Sequence, residues 1–328
     1  MSIDLEILKA LHGASGRSVS GADLSQTLGV TRAAIWARVQ ELRSLGYDID
    51  ASPHQGYKII SCPDLLHADD LLARLGPVSV IGRDIRVFKE TTSTNDVVEK
   101  LARDGVKEGV VVFAESQTRG RGRLGRKWVS PSGKGLWFSI LLRPALIPGE
   151  ATRLTILAAV ALRRAISGYT GIEPEIKWPN DILIKGRKTA GILTEMHAEP
   201  DRIKHLVLGI GVDVNVEPEQ FPPELGPIAT SLRAETGRMI NRAELACRIL
   251  RELDADYEHL NSGQFARMVD EWEEHCSTIG NNVSIRIGNR TLRGRAEALS
   301  EDGALLVRSE HGRLEAVIGG DVSLDKPT

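Results

Sequence analysis

The sequence predicts an α+β multidomain chain, and three observations predict it. Residues 1–62 show helix-period apolar spacing interrupted by capping residues. Residues 63–276 alternate apolar strand-like runs with helical stretches, and residues 277–328 hold short apolar runs separated by glycine turns. These regions are the expected domains. A chain of 328 residues with 41% hydrophobic side chains can build two or three cores of ordinary size. Lys plus Arg total 42 against 44 Asp plus Glu, a net charge of −2 that excludes a polybasic coat for nucleic acid, so any basic surface is local. The longest apolar stretch, 154–162, is bracketed by Arg153, Arg163 and Arg164. It falls short of the roughly 20 residues a bilayer requires. The N-terminus has no basic start followed by an apolar run and cleavage site, and Cys62, Cys247 and Cys276 form no C-x-x-C pair. A cytoplasmic protein with free thiols and no membrane contact is the expectation.

In the first region, Ile3, Leu5, Leu8 and Leu11 predict a helix. Ser20 is placed to cap a second helix over 21–28, which Gly29 stops in the left-handed region. Thr31 is an N-cap candidate for a third over 32–45, with Ile35, Val39 and Leu42 as its buried stripe and Gly46 as its end. Tyr47, Ile49, Tyr57 and Ile59 then alternate on either side of Pro53, His54, Gln55 and Gly56, a hairpin signal. The pattern resembles a winged helix-turn-helix. Arg32, Trp36 and Arg43 lie off the third helix's apolar stripe, where a recognition helix faces DNA. Six basic against six acidic side chains leave the region without a strong electrostatic footprint, so a domain used only for protein contact is the alternative.

Pro63 marks a boundary. Beyond it, 110–113, 136–142, 176–184, 190–195 and 203–214 read as strands, and 96–103, 151–167 and 242–260 as helices. Residues 217–227 hold four prolines and read as a loop long enough to suspect a function. In the tail, 283–287, 291–299, 304–309, 314–318 and 322–324 are short strands with turns at Gly288-Asn289, Asp302-Gly303 and His311-Gly312, so a small β-barrel is predicted.

The most informative stretch runs from Gln117 to Trp128, with Arg119, Arg121, Arg123, Arg126 and Lys127 interleaved with Gly120, Gly122 and Gly125; no Asp or Glu occurs between Ser116 and Gly149. Glycines let the backbone approach a ligand while guanidinium forks reach phosphate oxygens. No Gly-Lys-Ser/Thr follows, so this is not a P-loop. A solvated basic loop or a nucleic-acid tract is the alternative, although the flanking apolar strands favour a folded site. A second constellation is Lys177, Trp178, Pro179, Asn180 and Asp181, whose carboxylate suits a cation or an attacking amine; a surface bulge with a salt bridge is the other reading. Lys188, followed by Thr189, Ala190 and Gly191, has the small neighbours that let a lysine reach a bound carboxylate or phosphate. Thr92, Ser93, Thr94 and Asn95 precede a helix and are ordinary capping residues, or ligand hydrogen-bonders.

In order and spacing, Ser93-Thr94-Asn95, the loop from Gly120 to Trp128, Lys177-Trp178-Pro179-Asn180-Asp181 and the stretch from Lys188 to Leu193 together resemble the biotin protein ligases, and within them the bifunctional type that is also the biotin operon repressor. The resemblance runs along essentially the whole chain. It implies a class II aminoacyl-tRNA synthetase-like ligase domain and an SH3-like barrel. It implies biotin, Mg-ATP and two-step acyl transfer through biotinyl-5′-adenylate (biotinyl-5′-AMP) to a lysine of a biotin carboxyl carrier protein, with no protein-only metal site. By the resemblance, Ser93, Thr94, Asn95 and Gln117 meet the ureido ring; Gly120, Arg121, Gly122 and Arg123 fold over the biotin chain and adenylate phosphate; and Gly191 lies close by. Arg126, Trp128, Lys177, Asn180 and Asn215 serve the nucleotide. Lys188 is the chief catalytic candidate, with Arg121 and Arg123 beside it and Asp181 as base. Biotinyl-5′-AMP acts as corepressor, driving a homodimer onto operator DNA. Residues 217–235 fall where the family has an adenylate-covering loop. The rival readings are a lipoate–protein ligase and a ligand-sensing transcription factor without catalysis.

Overall fold

The computed structural model describes residues 2–52 and 55–324. Helices α1 (Ile3–Gly13), α2 (Gly21–Leu28) and α3 (Arg32–Ser44) are followed by strands β1 (Asp48–Ser52) and β2 (Gly56–Ser61), an antiparallel ribbon. Each helix begins on a hydroxyl cap. Ser2 accepts from Asp4 N, Ser20 from Ala22 and Asp23 N, and Thr31 from Ala34 N. Gly29 ends α2 at φ 65°. Ile7, Leu8, Leu11, Leu24, Ile35, Val39 and Leu42 form one core with Tyr47 and Ile49, so the expected stripe of α3 is buried as spaced. Pro53 and His54, half of the predicted turn, lie outside the described residues.

The central region is built on a seven-stranded mixed sheet. Its strands are β3 (Asp84–Thr91), β4 (Val110–Gln117), β5 (Gly135–Leu142), β6 (Glu175–Lys177), β7 (Asp181–Ile184), β8 (Arg187–Ala198) and β9 (Ile203–Asp213), in spatial order β3-β4-β5-β9-β8-β7-β6. Only β3 and β4 run parallel. The helices are α4 (Ala68–Leu75), α5 (Thr94–Arg103), α6 (Thr152–Thr170), α7 (Leu232–Thr236), α8 (Arg242–Asn261) and α9 (Phe265–Glu274). The run 176–184, expected as one strand, is two. The chain reverses at Trp178, Pro179 and Asn180, and β6 pairs back on β7, because proline has no N–H for a ladder and is confined to strand ends. Helices α4, α7 and α9 and strand β3 have no counterpart among the predicted elements. His67 makes no side-chain cap for α4, and β3 is an edge strand without strict alternation.

Strand alternation divides the sheet's faces. Leu206, Leu208, Ile210 and Val212 of β9, Leu136, Phe138 and Ile140 of β5 and Ile192 of β8 join the main core with α6 and α8. On the opposite face, Val98 and Ala102 of α5 cover Val110, Val112, Leu141 and Val207. The rest of that face carries Trp137 and, beside it, Ser139, Gly191, Gly209, Gly211 and Asp213, whose small or polar side chains leave room.

The tail forms a five-stranded antiparallel sheet of β10 (Asn282–Ile287), β11 (Arg290–Leu299), β12 (Leu305–Ser309), β13 (Leu314–Val317) and β14 (Asp321–Leu324) in order β13-β12-β11-β10-β14. A barrel is the sequence expectation, yet the pairings among the described residues leave an open sheet with β13 and β14 at its edges. Val283, Ile285, Leu292 and Val307 belong to the same hydrophobic cluster as the central core, which fixes this sheet beside the cavity. Among the described residues, no helix is long and apolar enough to cross a membrane.

Candidate functional site

A cavity of about 550 Å³ opens on the sheet face that α5 leaves uncovered. Close approach explains its glycines. A Cβ at Gly209 would stand 2.3 Å from Asn95 Oδ1, and one at Gly211 2.6 Å from the Trp128 indole, so the floor is bare backbone beneath both groups. Trp128 lies edge-on to Trp137 with ring centroids 6.2 Å apart.

One end of the cavity is a network of amides and hydroxyls. The backbone N–H and hydroxyl of Thr94 donate to Gln117 Oε1 at 2.9 and 3.2 Å, and Gln117 Nε2 donates to Ser130 Oγ at 3.0 Å. Ser139 Oγ donates to Asn95 Oδ1 at 2.5 Å, and Asn95 Nδ2 donates to Glu195 Oε2 at 2.7 Å. Ser93, the N-cap of α5, is buried beside them without a side-chain capping bond. Arg121 closes this end. Its Nε and Nη2 grip Glu195 at 3.0 and 2.8 Å, and Nη1 reaches Asp96 at 2.7 Å. The hydrogen bonds that Arg121 donates to Glu195, then the one to Asp96, push its pKa further up.

The other end is cationic. Lys188 Nζ lies 2.6 Å from Asp181 Oδ1 and 5.1 Å from the centre of the Trp128 ring. A bulge aims it. The β7–β8 register slips so that Ile182 faces Ala190 while Leu183 faces Lys188, which leaves Thr189 unpaired and puts Lys188 into the cavity lining. Arg126 is bonded to Asp321 of β14 at 2.5 Å, and Asp321 also accepts from Arg286. Arg123 differs from the loop's other cavity arginines. Among the described residues its side chain bonds only the Asn180 amide oxygen, at 3.4 Å, and burial pulls its pKa down. A half-buried guanidinium without a carboxylate partner is a ready anion site.

Asp213 was not singled out by sequence. It lines the cavity at 6% exposure, and burial raises its pKa well above 3.8, with Lys188 acting the other way. A raised native pKa means that stability grows as pH falls through the native value and is fully present below the unfolded one. Asp213→Asn is therefore expected to be more stable than the parent at neutral pH, with the gap closing as pH falls toward 3.8. Thermal melts of the pair across that range check it; a gap that widens on acidification contradicts it.

Two sequence candidates stand off the cavity. Asn215 is fully buried, bonding Ile240 through both ends of its amide at 2.9 and 3.0 Å. Gly120 closes the base of the loop, its carbonyl accepting from Trp128 N at 2.9 Å, and does not line the cavity. Gly122, Gly191, Lys177 and Asn180 all line the cavity, and Asn180 Nδ2 donates to Ile192 O at 2.7 Å. From the proline-bearing segment, Phe221, Leu225, Ile228 and Ala229 form a wall, tied down where Lys188 N donates to Ile228 O and Thr230 N to Lys188 O, both at 2.8 Å. In the N-terminal domain, Arg32 and Trp36 are exposed, Trp36 at 57%. Arg43 instead donates to Ile49 O at 3.0 Å, fastening the ribbon to α3.

Fold and site define a small-molecule-binding protein with an amide end, an aromatic lid and a cationic end, joined to a helix-turn-helix module. The family described as biotin/lipoate A/B protein ligase matches residues 87–213, an HTH domain matches 4–58, and the biotin protein ligase C-terminal domain matches 278–325. The chain is 37% identical to a bifunctional ligase/repressor BirA of Bacillus subtilis over 97% of its length and 98% of the relative's. It is 31% identical to the Escherichia coli protein of the same description, covering 98% of this chain and 97% of that one. It also superposes on the biotin protein ligase from Aquifex aeolicus in complex with biotin and ATP, with a TM-score of 0.64 and 30% identity over 75% of this chain and all of that one. The chain belongs to the biotin protein ligase family, with the domain set of its bifunctional ligase/repressor members.

Proposed function

We propose that this protein is a biotin protein ligase and a repressor of biotin synthesis genes. It joins biotin to ATP as biotinyl-5′-AMP and passes biotin to one lysine of a biotin carboxyl carrier protein. In the first step a biotin carboxylate oxygen attacks the α-phosphorus and pyrophosphate leaves. In the second the carrier lysine's amine attacks the acyl carbon, AMP leaves, and the amine's proton is taken up by a base. The observation that carries this reading is the order of groups along the cavity. The Ser93–Thr94–Asn95–Gln117 network suits a ureido ring, Lys188 and Arg123 stand where an acid's carboxylate would meet a phosphate, and the Trp128 ring offers a flat face to the nucleotide's purine.

Lys188 holds the carboxylate against the phosphate and stabilises the charge that builds up there, with Arg123 as its partner on the phosphate side. Asp181, beside Lys188, is the base for the incoming amine. Arg121 closes the biotin end through Glu195, and Arg126, Trp128, Lys177 and Asn180 border the nucleotide. Magnesium fits as an ion carried by the phosphates. The cavity's carboxylates are Asp181, Asp213 and Asp321, and each has a cationic neighbour, which suits no all-protein cage. The central domain is read as class II synthetase-like and the tail as SH3-like. The protein acts in the cytoplasm, and biotinyl-5′-AMP promotes a homodimer on operator DNA.

Transfer is tested by mass spectrometry of a carrier domain after incubation with biotin and ATP. One biotin on one lysine is expected, and an unmodified carrier overturns the reading. The loop over 118–126 is expected to gain hydrogen-exchange protection with biotin plus ATP, since few apolar residues anchor it; equal protection with and without them contradicts this. For the repressor half, Arg32→Ala is expected to reduce the salt dependence of operator binding by about one phosphate contact. An unchanged slope removes Arg32 from the interface.

A further inference from the structure

The junction between the N-terminal and central domains holds a polar cluster that the ligase reaction does not use. His12 near the end of α1, Cys62 just after β2 and Asp70 in α4 each offer one ligand atom, and the three atoms lie within 4.8 Å of one another. Asp70 is 2% exposed, and its Oδ1 stands 2.7 Å from His12 Nε2. Arg74 donates to the other oxygen, Oδ2, at 2.7 Å, leaving Oδ1 on the imidazole side. Tyr47, 3% exposed, has a hydroxyl with no hydrogen-bond partner. Burial first, and then the Asp70 carboxylate and Cys62, hold back that hydroxyl's ionisation, and Cys62 packs against the same core as Tyr47. A buried hydroxyl without a partner calls for a group the protein alone does not supply.

We propose that His12 Nε2, Cys62 Sγ and Asp70 Oδ1 bind a thiophilic divalent cation of the zinc class. Imidazole, thiolate and carboxylate together are a zinc donor set, whereas magnesium and calcium take oxygen alone. Bonds of about 2.0–2.3 Å in a tetrahedron set ligand atoms about 3.3–3.8 Å apart, so the His12–Asp70 pair opens by roughly 0.7 Å. On binding, the Cys62 S–H bond breaks, its proton leaves to solvent and a sulfur–metal bond forms. Thiolate and carboxylate then balance the dication, and Arg74 keeps Glu244 at 3.7 Å as its own counter-ion. The ligands come from α1, the linker and α4, so the ion cross-links the DNA-binding domain to the catalytic domain.

Cobalt(II) titration of the reduced, full-length protein tests this through its thiolate-to-metal charge-transfer absorption. One equivalent is expected to bind and to be displaced by zinc. The absorption is expected to be lost in Cys62→Ser and in His12→Gln, with circular dichroism and biotin-dependent ATP–pyrophosphate exchange kept. Zinc is also expected to raise the thermal midpoint of the parent and not of His12→Gln. No absorption in the parent overturns the proposal, as does absorption that survives in Cys62→Ser, which would place the metal on Cys247 or Cys276. An equal thermal shift in parent and His12→Gln overturns it too.

Discussion

Lys188→Ala is expected to lose about 10²–10³-fold in biotin-dependent ATP–pyrophosphate exchange while keeping its fold. The bulge at Thr189 is what brings this ammonium into the cavity, 2.6 Å from Asp181 and over the face of Trp128. Removing it leaves the biotin end untouched, because the Thr94, Gln117 and Asn95 hydrogen bonds do not involve it. The loss therefore belongs to kcat more than to biotin affinity, since charge accumulates between carboxylate and phosphate only in the transition state. Full exchange in Lys188→Ala would reassign the charge-stabilising role to Arg123.

Arg242→Ala is expected to cost about 3–5 kcal/mol of stability, the size that follows from stranding one member of a buried ion pair. Arg242 is fully buried at the start of α8. Its Nη1 donates to Glu115 Oε2 at 2.6 Å, its Nε to Asp64 Oδ1 at 2.9 Å and its Nη2 to the Asp64 carbonyl at 2.8 Å. Without the guanidinium, Glu115 keeps only the Leu66 N–H as partner among the described residues. The damage reaches the site along β4, because Gln117 lies two residues beyond Glu115 on the same strand. Denaturant unfolding measures it. A loss below about 1 kcal/mol, the scale of an exposed pair, would contradict the account.

Much of this architecture is legible in the sequence because it rests on local chemistry. Ser20, Gly29 and Thr31 mark helix ends wherever the chain goes, and the Ile35, Val39 and Leu42 spacing states which face is buried. The Gly-Arg loop and the Lys177-to-Asp181 turn announce themselves by composition, and both reach the cavity. What stayed hidden depends on partners far along the chain. Ser139 and Glu195 look like ordinary strand residues until Asn95 is folded between them, and Asp213 looks like a strand end. One signal was available. In β9 the apolar positions Leu206, Leu208, Ile210 and Val212 alternate with Val207, Gly209, Gly211 and Asp213, a face too bare for a core. Asn215 falls just past that strand, where the chain turns into the interior, and its amide closes onto Ile240. Local pattern does not reveal that turn. The tail's glycine turns place its strands correctly but carry no information on whether β13 and β14 meet.

The most direct test of the central claim is isotope exchange between ATP and pyrophosphate by the full-length protein, with biotin and with lipoate in parallel. The account predicts exchange that requires biotin and is absent with lipoate. Exchange with lipoate alone would turn the cavity into a lipoate site, and exchange with neither acid would contradict an activating role for Lys188 and Arg123, leaving the helix-turn-helix domain as the seat of function.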